Sequence, residues 1–378
     1  KKALKKEIKK KSPVIHSRPH LDRIERDGED YRKGLDIDAD DFMNTFGFRG
    51  VQFGEWLPND ERQMVLNMAY DSLMDLANAI DFLPEQISLN GTLAISFGAR
   101  GSGKASAHYE PGQQVLNMTR MRGAGSVAHE WMHALDHYIA SIGNENIMEN
   151  NEIRFLSGNS NNTNHHYSRS SMFPLLSIEA KQALDALNTS IFYKNVPIEE
   201  SLENRQVRLK KINSIMEECK KNINEIQEKL NESNVGVRIR NQYKKTLMME
   251  NEKIATLSLR KEVINEEIEY LKNGKILDHK DSDFYKNARI GSEYWYRPTE
   301  LYARAFENII EKKIKDNNNS SDYLVHSTDD ALYKHNEIFG IRPYPYDEEQ
   351  KNISDNMLNF IKNIQYLLKN ENQSVLKM

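Results

Sequence analysis

The stretch 199–273 restricts the fold of this chain more than any other. Leu202, Leu209, Ile212, Met216, Cys219, Ile223, Ile226 and Leu230 recur at alternating steps of three and four, with the charged Arg205 taking one place in the series. After SNVG (233–236) a second series runs through Tyr243, Leu247, Ile254, Leu257, Ile264, Ile268 and Leu271, with Glu250 and Lys261 at two of its seam positions. Such spacing lays one apolar seam along each helix. The short break predicts that the second helix returns along the first as an antiparallel coiled-coil hairpin, about 45–50 Å long at about 1.5 Å rise per residue. A segment of this kind supplies no globular core, so the core must come from the flanks. The composition agrees. Hydrophobic residues make up 38% of the 378 and charged residues 29%, which suits a core-forming part joined to a strongly polar helical part.

The flanks predict an α+β fold. Residues 1–40 are polar, are interrupted by Pro13 and Pro19, and open with a lysine cluster at 1–11; they read as a solvated linker. Residues 41–145 form the first part of the core. Phe46, Phe48, Phe53 and Trp56 anchor it, and Met64, Leu66, Met68, Leu73, Leu76, Ala77 and Ile80 mark a helix over 59–80. Short strands are expected at Ile87–Leu89, Leu93–Phe97, Ala107–Tyr109 and Val115–Met118, the first two joined by an Asn90-Gly91 turn. Ser126 is placed to cap a helix running to Ser141. Residues 146–198 read as an irregular insertion, and 274–378 as the second part of the core, with helices over 293–314 and 347–369.

Charge and composition exclude several classes. Lys+Arg 52 against Asp+Glu 56 leaves a net charge of -4, so no global attraction to nucleic acid exists. The one cysteine, Cys219, excludes an intramolecular disulfide and a cysteine-built zinc site, and suits a reducing compartment; the cytoplasm is the expected location. No run approaches the ~18 apolar residues of a membrane span. The basic start has no apolar stretch behind it and is no secretory signal. A first residue of Lys1 rather than Met reads as a piece of something longer. GARGSGK (98–104) is followed by Ala105 where a phosphate loop needs Ser or Thr, so a nucleotide site is not expected.

Chemistry concentrates in AHEWMHALDHY (128–138). On a helix His129 and His133 lie one turn apart on a shared face, where both imidazoles can meet one zinc ion. Glu130 is rotated from them by roughly 100°, which suits a general base that is not itself a ligand. Zinc needs a third protein ligand and an open position. Glu300 and Glu307, seven apart on the later helix, are the candidates, and Glu300 in the first turn is the favoured one. Asp136 could orient a ligand histidine, and His137 extends the same face as a rim residue. Tyr294, Tyr296, Arg304 and His108 are candidates for stabilising an oxyanion. Val115, Leu116 and Asn117 are expected to form the edge strand along which a peptide substrate would lie.

The runs FGFRGVQFGEW, DLANAI, ISLNGTLAISFGARGSG, AHYEPG, RGAGSVAHEWMHALDHY and RPTELYARAFE together resemble the first class of large polyvalent protein-associated domains. These are zincin-like domains of long multidomain proteins carried by phages and conjugative elements. The resemblance spans 42–142 and 293–312, with IRPYPYDEEQ (341–350) matching loosely. It implies a zincin-like metallopeptidase core, a small mixed sheet with active-site helices; the coiled-coil hairpin is an insertion not expected of the family core. It also implies His129 and His133 as ligands, Glu130 as base, and Glu300 in the metal site. The function expected is hydrolysis of a protein substrate by a gluzincin-type zinc peptidase, delivered into a recipient cell with mobile DNA. The contrasting expectation is a catalytically silent zincin-like scaffold that acts through the hairpin as a protein-interaction or DNA-associated module.

Overall fold

The computed structural model describes residues 21, 23–54, 59–98, 107–118, 125–142, 144, 147–149, 151–160, 167–232, 234–328 and 342–368. The lysine cluster at 1–11, Trp56 and all but the first residue of GARGSGK lie outside them. In chain order the elements are β1 (Arg26–Asp27), α1 (Ala39–Phe46), β2 (Val51–Phe53), α2 (Asn59–Ala79), β3 (Ala94–Phe97), β4 (Ala107–Glu110) and β5 (Val115–Met118). There follow α3 (Val127–Ser141), β6 (Met148–Glu149), β7 (Glu152–Ile153), α4 (Ile178–Phe192), β8 (Tyr193–Asn195), α5 (Ile198–Asn231) and α6 (Val237–Lys272). The last are β9 (His279–Asp281), α7 (Asp283–Ile290), α8 (Pro298–Asp316), β10 (Ser320–Ser321) and α9 (Asp347–Ile364). The chain is mixed α+β and divides into two compact units, one of residues up to Tyr193 and from Asp281 onward, the other Lys194–Lys280. Among the described residues, no helix is long and apolar enough to cross a membrane.

The first unit holds a four-stranded sheet in the order β2-β3-β5-β4. β2, β3 and β5 run parallel, and β4 returns antiparallel beside β5, with Tyr109 opposite Leu116. Burial follows from these positions. All four residues of β5 are buried, as an interior strand demands, whereas β4 alternates buried Ala107 and Tyr109 with half-buried His108 and Glu110. Val115–Met118 is therefore not the edge strand; β4 is.

Aromatic packing ties the helices to this sheet. Phe42, Phe46, Phe48, Tyr70 and Phe97 make a contiguous ring cluster, with Phe42 and Phe48 stacked at 5.5 Å. Trp131 of α3 is fully buried, stacks on Phe306 of α8 at 5.6 Å, and donates to the Ile87 carbonyl at 2.9 Å. The ring thereby holds α3 against α8, and those two helices carry the polar residues of interest.

Several expectations are corrected. Ile87–Leu89 is not a strand: Pro84–Ser88 forms a 3-10 turn, with the Leu83 N–H donating to Gln86 Oε1 at 2.9 Å. Leu89, Asn90 and Gly91 then all adopt positive φ, and the Asn90 amide donates to the Tyr138 hydroxyl and the Leu367 carbonyl, each at 2.8 Å. A junction between elements thus takes the place of a two-residue hairpin turn. Residues 23–38 are not a solvated linker. β1 pairs with β10, Arg26 grips Asp75 through two 2.8 Å bonds, and Arg32 holds Asp71 at 3.0 Å. Residues 146–198 are not merely irregular, since α4 lies within them. Ser177 caps it, accepting from Ala180 N–H, and Ala180, Ala183, Leu184, Leu187 and Ile191 are buried where it packs on α9.

The second unit is an antiparallel helical hairpin of α5 and α6. Arg205 bonds Glu267 at 3.1 Å and Asn222 bonds Glu250 at 3.5 Å, pairs that fix the two helices in opposite directions. Cys219, Leu257, Ile264 and Leu271 are buried in the seam. The charge of Arg205 is matched within the unit by Glu267 and Asp278.

Candidate metal centre

Helix α3 starts where the sheet ends. Ser126 occupies the capping position expected of it, but its side chain makes no capping bond. Carbonyls of the turn after β10 do the work: Gly125 N–H donates to Tyr323 O at 2.9 Å and Ala128 N–H to Leu324 O at 3.1 Å. Helix α8 opens with Pro298 and is buried over most of its length, although Glu300, Arg304, Glu307 and Glu311 recur along it at steps of four, three and four. A buried stripe of charge is costly unless every member is paired, and each of these residues has partners.

Glu300 meets the two histidines of α3. His129 Nε2 and His133 Nε2 stand 3.1 Å apart. Glu300 Oε2 lies 3.4 Å from the first, and Glu300 Oε1 lies 3.6 Å from the second. Donor atoms held tetrahedrally around one ion at about 2.0–2.1 Å stand about 3.3–3.4 Å apart. The set therefore has the size and chemistry of a cation site, and Glu300 Oε2 is buried without a hydrogen-bond partner. These three residues form a group able to hold a metal ion among the described residues.

Glu307 is 1% exposed and lies behind the cluster, Oε1 at 3.3 Å from His129 Nδ1. An acceptor there directs Nε2 of the same ring toward the shared centre. Burial lowers the His129 pKa, but Glu307 and Glu300 outweigh it and hold the group up at about 10. Burial likewise raises Glu300, and His129, His133 and Tyr294 outweigh it to leave the carboxyl at about 2. His133 is shifted down by burial, with Glu300 opposing and His129 adding to the shift. Glu307 and Glu300 thus favour positive charge at His129, and a proton there occupies ground a cation would take.

Glu130 takes a different direction. Its Oε2 accepts the Tyr109 N–H of β4 at 2.7 Å, which ties it to the edge strand beside α3. Tyr294, in the 3-10 turn Glu293–Tyr296, reaches Glu300 with its hydroxyl, although 46% of the residue is exposed. Burial of the phenol, with Glu300 and Glu130 beside it, raises its pKa far above the ordinary value, so it remains a donor.

Other candidates stand elsewhere. Tyr296 packs against the hydrophobic core. Arg304 is no oxyanion donor. Its guanidinium bonds the carbonyls of Pro343 (2.6 Å), Glu300 (3.2 Å) and Trp295, and stacks over Trp295 at 4.8 Å. His108 lies on the face of β4 opposite Tyr109. Asp136 orients no ligand; it accepts from the Ser157 N–H (2.8 Å) and hydroxyl (2.6 Å) and pins that loop to α3. His137 is not on a rim. It is 2% exposed, with Nδ1 at 2.9 Å from the Tyr109 hydroxyl and its ring against Phe155.

Residues 286–368 match the family model of large polyvalent protein-associated domain 1. That stretch is similar to a large polyvalent protein-associated domain. The matched span of that domain includes α8 with Glu300, Arg304 and Glu307, and also α9; α3, with His129 and His133, lies outside it. No curated protein and no solved structure matches the chain.

Proposed function

We propose that the chain is a zinc-dependent peptidase of the zincin type, with His129, His133 and Glu300 as ligands of one ion. The observation that carries the proposal is the convergence of two imidazole Nε2 atoms and one carboxylate from separate helices, all within 4.8 Å of one another. Bound there, zinc would supply Lewis acidity toward a water and a substrate carbonyl. Glu130 takes the proton of the attacking water and returns it to the leaving amine. Tyr294, kept protonated, donates to the oxygen that gains charge. The strand open to an extended peptide is β4, and we place the substrate along it. With the resemblance to polyvalent proteins of phages and conjugative elements, the proposed setting is a bacterial cytoplasm reached with mobile DNA, and the substrate a protein.

Metal analysis of the purified chain tests the ligand set: one zinc per chain is expected, and none for His129→Ala. Peptides that appear in a host proteome with the intact protein, and vanish with Glu130→Gln, test the chemistry. A chain that takes up no divalent metal at neutral pH would remove the basis of the proposal.

A further inference from the structure

Helix α6 has two apolar sides. One is the seam toward α5. The other is made by Met248, Ala255, Leu259, Val263 and Tyr270, at steps of seven, four, four and seven, so these residues share one side of the helix. Leu259 and Leu257 are two positions apart, as are Tyr270 and Ile268, and two positions turn about 200° around a helix. The second stripe therefore points away from α5. It is solvent-facing: Met248 is 62% exposed, Leu259 65%, Val263 54% and Tyr270 44%. Isolated apolar residues on a surface mean little, but a periodic stripe along several turns is what helices use to find each other.

Charge on the same side selects the partner. Its N-terminal half carries Arg238, Lys244 and Lys245, and its C-terminal half Glu262, Glu266 and Glu269; Glu252 alone breaks the division. This order runs against the helix dipole, which favours acids at the N-terminus and bases at the C-terminus, and the first turn of α6 has no acidic residue. Lys244, Lys245, Glu262 and Glu266 have no ion-pair partner among the described residues. A parallel copy would set like charges together. An antiparallel copy sets each basic half on an acidic half.

We propose that the chain forms a homodimer through this side of α6, the two helices antiparallel and crossing near Ala255. There Met248 of one copy faces Val263 of the other, Lys245 faces Glu266, and the small side chain of Ala255 lets the backbones approach. The inference is independent of the metal site and stands or falls apart from it.

Sedimentation of the full chain tests it. The wild type sediments at twice the mass of one chain, and added salt weakens the dimer because the flanking pairs are exposed. Leu259→Lys combined with Val263→Lys halves the apparent mass without loss of helical circular dichroism, since both side chains face solvent. Lys244→Glu/Lys245→Glu and Glu262→Lys/Glu266→Lys are each monomeric alone and recover the dimer mass when mixed. A monomeric wild type overturns the proposal, as does a dimer that survives the Leu259/Val263 change or two charge variants that fail to restore each other.

Discussion

The residues around His129 differ in what they do, and substitution separates them. Tyr294 touches Glu300 and faces Glu130. On the proposal of a zinc peptidase, Tyr294→Phe should leave zinc content intact and lower turnover about 10²-fold, the scale of one lost donor at a developing oxyanion. Glu307 supports the His129 ring from behind, through Nδ1. Glu307→Gln should weaken metal affinity by about 10–100-fold, measured by competition with a chelator, with a smaller effect on the loaded enzyme. Asp136 tests the interior. Burial raises its carboxyl to about 7, with the Ser157 bonds opposing. A carboxyl raised on folding contributes fully below its unfolded value of 3.8 and loses that contribution as pH climbs through about 7. Asp136→Asn, which cannot ionise, should therefore gain on the wild type by roughly 4 kcal/mol between about pH 4 and 8 in denaturant unfolding. A difference that is flat with pH would contradict the burial of this acid. Residue identity made the histidine pair legible, because HExxH fixes a spacing and a helix fixes the geometry. It did not separate Tyr294 from Tyr296. They stand two apart in a 3-10 turn, and only the path of that turn decides which phenol reaches Glu300.

At the scale of elements, α8 joins the site to the fold. Arg304 uses its guanidinium to hold the turn before α8 and the Pro343 segment. Lysine cannot reproduce that fork, so Arg304→Lys should cost on the order of 3 kcal/mol of stability. The helices with regular apolar spacing were readable in the chain: α2, α5 and α6 fall close to where periodicity places them, and α3 starts where Ser126 marks it. Helix α4 was equally readable, with a Ser177 cap and buried Leu184 and Leu187, yet the polar run before it disguised a core helix as an insertion. Leu184→Ala should destabilise the first unit by roughly 2–5 kcal/mol, as deletion of a fully buried leucine does. Other errors share one physical source. The interior position of β5 and the docking of Arg26 and Arg32 on Asp75 and Asp71 are set by contacts distant in sequence, which local spacing does not encode.

In the whole molecule, stability is unevenly distributed. The core of the first unit is broad and contains fully buried Trp131, Phe306 and Leu135, while the hairpin buries few side chains completely, Cys219 and Leu271 among them. Amides of α5 and α6 should therefore exchange with solvent sooner than those of α3 and α8, which mass-resolved hydrogen exchange would detect. Equal protection in both would refute this ordering. The hairpin also has a consequence in time. Its helices stand in sequence between the paired imidazoles of α3 and the carboxylate of α8. A ribosome must release all of α5 and α6 before Glu300 exists to complete the trio. Until that moment the two imidazoles lack the carboxylate that completes the group.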